Sequence, residues 1–153
     1  MQTLLSNWVI PLLLASTSVF AAMPAATADS DVELAIKGYS PVSYFENDRA
    51  EPGDPQFSTV HNQHRYYFTS AEQLARFEAN PEKYEPLFPD HCPYNLALGR
   101  AAAIDPYNFK IVNGNLLLFH RTEEMDGREA WEQHGDEEEL LERAEATHTL
   151  FQF

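Results

Sequence analysis

Cysteine is almost absent from this 153-residue chain. Cys92 is the only one, so no disulfide can close within it, and stability has to come from packing or from a partner chain. The absence of closely spaced Cys pairs also argues against a structural zinc site, which needs four ligands. Basic residues are scarce too: ten Lys and Arg stand against 24 Asp and Glu, a formal net charge of −14. That balance argues against nucleic acid or an anionic membrane as a partner, since both require a basic surface. The sequence contains no Gly-rich phosphate loop, no Gly-x-Ser-x-Gly and no His-Glu-x-x-His, so the common signatures of nucleotide, serine-hydrolase and zincin chemistry are missing. Neither an internal repeat nor a low-complexity tract occurs. The expectation is a non-catalytic protein.

Charged side chains are missing altogether before Asp29. Val9–Phe20 is apolar but interrupted by Pro11, and this stretch is too short to span a bilayer. Ala26-Thr27-Ala28 has the small-x-small pattern of a signal-peptidase site. Residues 1–28 therefore read as a cleaved secretory signal, with cleavage after Ala22 and an uncleaved anchor as the alternatives. A periplasmic or secreted location follows, with no membrane association after cleavage.

What the chain does contain is ample apolar material, 44% with 12% aromatic, enough for one well-packed domain. Residues 57–84, FSTVHNQHRYYFTSAEQLARFEANPEKY, are the densest in signals. Two runs rich in β-branched and aromatic residues flank Asn62-Gln63, which predicts a two-residue hairpin. Ser70 reads as a helix N-cap with Gln73 as its capping-box partner. Leu74 and Phe77 share a helical face, and Pro81 stops the helix. Phe57, Phe68, Leu74, Phe77 and Tyr84 are the expected core of this unit.

These residues resemble the YHS domain, in which a strand pair leads through Tyr-Tyr-Phe into a Ser-capped helix that ends in Asn-Pro-Glu-Lys-Tyr. Tyr66, Tyr67, Phe68, Ser70, Phe77 and Asn80 to Tyr84 match as they stand. Gly38-Tyr39-Ser40-Pro41-Val42-Ser43-Tyr44-Phe45 is similar to the opening of the secreted or periplasmic branch. His91-Cys92-Pro93-Tyr94, Gly99, Asp105-Pro106 and Ile111 to Gly114 follow in that branch's order. The resemblance implies a YHS-like domain over residues 32–121 and an association with metal ions; the charged residues of 122–153 read as an acidic helical extension. The thiols of metal-associated members fall at Thr69 and Gln73 here, so that thiolate site does not carry over.

The fold class expected is α+β: a small single domain with two β-hairpins packed against short helices, plus a charged C-terminal helix. Val32–Phe45 reads as a strand or irregular lead-in broken by Gly38 and Pro41. A short helix is predicted at Tyr94–Leu98, with Gly99 left-handed behind it. Asn113-Gly114 predicts a second hairpin in which Ile111 pairs with Leu116 and Phe109 with Leu118, all four on the core face. Trp131, Leu140, Leu141 and Ala144 are the expected anchors of the charged segment after Thr122.

Four residues are candidate metal ligands: His61, His64, His91 and Cys92. His61 and His64 face each other across the first hairpin, with Cβ atoms about 5 Å apart, a spacing suited to copper or zinc; the alternative is an exposed polar turn. Cys92 is the N-cap residue if Pro93 opens a helix, where the dipole favours a thiolate and His91 adds charge or a ligand. Its alternatives are an inert thiol under the second hairpin and a nucleophile or redox thiol with His91 as base. His120 follows the second hairpin and could approach either group in space, whereas His134 and His148 read as ordinary surface residues. The aromatic set Tyr39, Tyr44, Phe45, Tyr66, Tyr67 and Phe68 either lines a small-ligand pocket or packs the core. Function therefore reads as binding of a small ligand or a copper or zinc ion, with a protein partner docked on the acidic C-terminal helix as the alternative.

Overall fold

The computed structural model describes residues 32–151, and the expected signal segment at 1–28 lies outside them. Within the described residues the chain is α+β, with six helices, a three-stranded sheet and a two-stranded sheet. β1 (Glu33–Leu34) runs parallel to β3 (His64–Phe68), which pairs antiparallel with β2 (Asp54–His61). The Asn62-Gln63 turn has φ of 46° and 65°. Positive φ at both positions is the turn geometry whose twist matches a two-residue hairpin, and His61 pairs with His64 as expected.

The lead-in departs from expectation. Pro41 does not break structure; it occupies the first turn of α1 (Pro41–Asn47), where its missing N–H costs nothing. Ile36 and Lys37 adopt left-handed backbone, φ 52° and 53°, which turns the chain from β1 toward α1 and buries Ile36. Gly53 is held by close approach: a Cβ there would lie 2.5 Å from the Tyr67 Cβ and 2.6 Å from its carbonyl carbon.

Ser70 caps α2 (Ala71–Ala79) by accepting the Gln73 N–H at 3.3 Å. The Gln73 side chain does not close a simple capping box. Its Oε1 accepts the Thr69 N–H at 3.2 Å and the buried Ser40 hydroxyl at 2.7 Å, tying α2 to the start of α1. Asn80 ends α2, and Pro81 then opens α3 (Pro81–Tyr84).

Cys92 is the N-cap of α4 (Pro93–Ala97), and Gly99 is left-handed at φ 75°. β4 (Phe109–Val112) and β5 (Asn115–Leu118) have the expected register, Ile111 with Leu116 and Phe109 with Leu118. The four do not share one buried face. Ile111 is 37% exposed, whereas Leu117 on the opposite face is buried. The reason is that both faces of β5 are covered. Leu116 and Leu118 join Tyr44, Tyr66, Phe68, Phe77 and Tyr84 in one core. Leu117 and Val112 join Cys92, Leu96, Phe119, Trp131, Leu140 and Ala144 in a second. The second core is closed by α5 (Gly127–His134) and α6 (Glu137–Phe151). The aromatic set identified in the sequence is largely core: Tyr44, Tyr66 and Phe68 are fully buried.

Candidate metal centre

The parallel pairing of β1 with β3 places Glu33 beside His64, and the loop between α3 and α4 brings Asp90 against the same ring. One ligand atom from each of Glu33, His64 and Asp90 lies within 4.8 Å of the others. Glu33 is exposed and the other two are half-buried. His64 Nε2 is 2.6 Å from Asp90 Oδ2, and its Nδ1 is 2.8 Å from the Asn62 carbonyl. A carbonyl only accepts, so Nδ1 carries a hydrogen. Nε2 faces a carboxylate, which favours a hydrogen there too and so the imidazolium form of the ring. The hydrogen bond to the Asp90 carboxylate holds the His64 pKa above its ordinary value, against the opposing effect of burial.

This arrangement has the anatomy of a histidine ligand. One ring nitrogen is fixed by a carbonyl, and the other is aimed at the acidic group where an ion would sit. One imidazole with two carboxylates suits zinc or copper(II) better than copper(I), which favours thiolates and thioethers. A cleft of about 530 Å³ adjoins His64, walled by Asn62, Gln63, Glu85, Leu87, Pro89 and His148. Tyr66, two residues along β3, is buried with no hydrogen-bond partner for its hydroxyl among the described residues. Burial raises its pKa, with Glu85 and Asp90 adding to the effect.

The four residues expected from the sequence form two sequence pairs, His61 with His64 and His91 with Cys92. His61 is across the hairpin from His64, yet each ring takes its own carboxylate: His61 Nε2 lies 2.8 Å from Glu85 Oε2, and Asn62 Nδ2 donates to both oxygens of Glu85 at 3.0 and 3.1 Å. The segment at residues 85–90 thus offers each imidazole its own carboxylate. Cys92 is fully buried in the second core and makes no capping hydrogen bond from its side chain. Its Sγ sits 3.0 Å from where a Cβ on Gly127 would lie, so it packs under α5 rather than beside His91. His91 is half-buried, with its ring centre 6.4 Å from that of His148. His120 is taken up elsewhere, its Nδ1 bonded to the Ala103 carbonyl at 2.9 Å.

Sequence reasoning missed Glu33, Asp90 and the placement of His148. Glu33 and Asp90 carry no local signal, because a non-local strand pairing and a loop bring them in. His148 does carry one: Ala144 and His148 are four residues apart, so the buried stripe of α6 continues to the histidine. Burial and the neighbouring imidazoles of His91 and His64 depress its pKa. The chain matches no family model, no curated protein and no solved structure.

Proposed function

We propose that this chain is an exported, non-catalytic binding protein of YHS type that holds a zinc or copper(II) ion on Glu33, His64 and Asp90. The observation that carries the reading is the convergence of these three side chains, with the Nδ1 hydrogen of His64 already committed to the Asn62 carbonyl. An ion takes the place of the Nε2 proton, so binding releases a proton from His64. The cleft beside His64 leaves room for a small ligand to complete the coordination sphere. Titration of metal-free protein with Zn²⁺ and Cu²⁺ tests this. His64→Ala and Asp90→Asn are expected to lower affinity at least about tenfold. No saturable binding of either ion, or equal binding by both variants, rejects it. Export is tested separately by intact mass: the mature chain is expected to begin at Asp29 or Met23, and an unprocessed mass removes that part of the reading.

A second reading is favoured by the outer face of α6, where Glu138, Glu142, Glu145 and Thr149 are all exposed at helical spacing. That face would dock a basic protein partner. Combined Glu138→Lys and Glu142→Lys substitution is expected to abolish capture of such a partner while leaving metal binding intact. Unchanged capture counts against it.

A further inference from the structure

Two further imidazoles meet near this site from elements distant in the sequence. His91 sits in the segment that opens α4, and His148 lies near the end of α6. Their ring centres are 6.4 Å apart with planes inclined at 61°. Phenyl rings flank the pair: Phe88 packs edge-on against His148 at 5.2 Å, and Phe151 lies 6.4 Å from His91. Both histidines are half-buried, and the charge of Asp90 reaches His148.

The separation lies just outside what a bridging ion spans. With metal–nitrogen bonds of about 2.05 Å and about 1.1 Å from nitrogen to ring centre, a collinear pair spans about 6.3 Å and a tetrahedral angle about 5 Å. The observed 6.4 Å is just past the collinear limit, so ring rotation with a closure of about 1.4 Å is needed to reach the tetrahedral geometry. The donor set also selects the ion. Imidazole suits zinc and copper, whereas Mg²⁺ and Ca²⁺ need oxygen ligands.

We propose that His91 and His148 form a second transition-metal site, a two-imidazole clamp for zinc or copper that ties the end of α6 to the start of α4. It extends the proposed metal-binding function to a second ion with ligands other than Glu33, His64 and Asp90, although His148 also walls the cleft beside His64. Binding fixes the last turns of α6, which bear the exposed Leu150 and Phe151.

The test is native mass spectrometry of the metal-free full chain with stepwise Zn²⁺, alongside hydrogen exchange of α6. Wild type is expected to take two ions. His148→Gln and His91→Gln each take one, His64→Gln takes one, and the His64→Gln/His148→Gln double variant takes none. Exchange in the last turns of α6 slows with zinc in wild type and His64→Gln but not in His148→Gln, a difference that a purely structural role for His148 would not produce. Circular dichroism of each variant confirms that it folds, and the two single-histidine variants check one another. One ion in wild type that is lost in His64→Gln and kept in His148→Gln overturns the second site and leaves the first. One ion lost in His148→Gln and kept in His64→Gln does the reverse. Two ions unaffected by either histidine of the pair, or no ion at all, also overturn it.

Discussion

At the scale of single residues, His64 is where structure and chemistry make opposite demands. In the metal-free protein its ring lies 2.6 Å from Asp90 and 2.8 Å from the Asn62 carbonyl, and its pKa is raised in the folded state. A raised folded pKa contributes stability that is fully present below the unfolded value of about 6.5 and is lost as pH climbs through the folded value. A bound ion reverses the trend, since it replaces a proton and binds more tightly as His64 deprotonates. Metal-free wild type is therefore expected to lose stability between about pH 6 and the raised pKa, relative to His64→Ala, and saturating zinc is expected to restore it at the alkaline end. Urea midpoints measured across that range, with and without zinc, check both slopes; parallel pH profiles for wild type and His64→Ala would show that the ion pair is not formed.

At the scale of elements, the turns show how local chemistry sets register. Both hairpins use two-residue turns with positive φ throughout, Asn62-Gln63 and Asn113-Gly114, but only the second has glycine at its second position. Gln63 holds φ 65° with a side chain exposed to solvent. Gln63→Gly is expected to relieve that conformation and stabilise the protein by about 1 kcal/mol, read as a higher urea midpoint at unchanged slope. A lower midpoint would mean that Gln63 makes a contact worth more than its strain. These turns, the Ser70 cap and the Gly99 stop were legible in the sequence because each is decided by residues within four positions of one another. The β1–β3 pairing was not legible: Glu33–Leu34 is only two residues long, and its partner lies a helix and a strand further on. The candidate site inherits that limit. His64 was visible at its turn, but Glu33 and Asp90 acquire meaning only from a parallel ladder and a loop. Cys92 and His91 show the converse. As sequence neighbours they looked like one site, yet the α4 N-terminus sends the thiol into the second core and leaves the imidazole half-buried near α6.

At the scale of the whole molecule, β5 decides how the protein unfolds. Leu116 and Leu118 fill one core while Leu117, on the opposite side of the same strand, fills the other, and the Leu87 N–H donates to the Leu116 carbonyl at 3.0 Å, binding the 85–90 loop to the same strand. Neither core can open without uncovering a face of β5, so the two should melt as one unit although they lie in different layers. The second core depends on the charged C-terminal segment. Trp131 is fully buried, meets Phe119 edge-on at 5.7 Å and donates its Nε1–H to Glu137 at 3.2 Å. Trp131→Ala is expected to cost about 3–5 kcal/mol, a large part of the total for a domain of this size. Truncation after Arg121 would remove Trp131, Leu140 and Ala144 together and so would expose Cys92 and Leu117. Cys92 supplies the probe for this coupling. Buried beneath α5, it is expected to resist iodoacetamide in the native protein and to react in urea along the same curve as the far-ultraviolet circular dichroism. In Trp131→Ala both curves should move together to lower urea. Labelling of Cys92 well before the dichroism changes would mean that α5 and α6 peel away from a hairpin layer that stands without them.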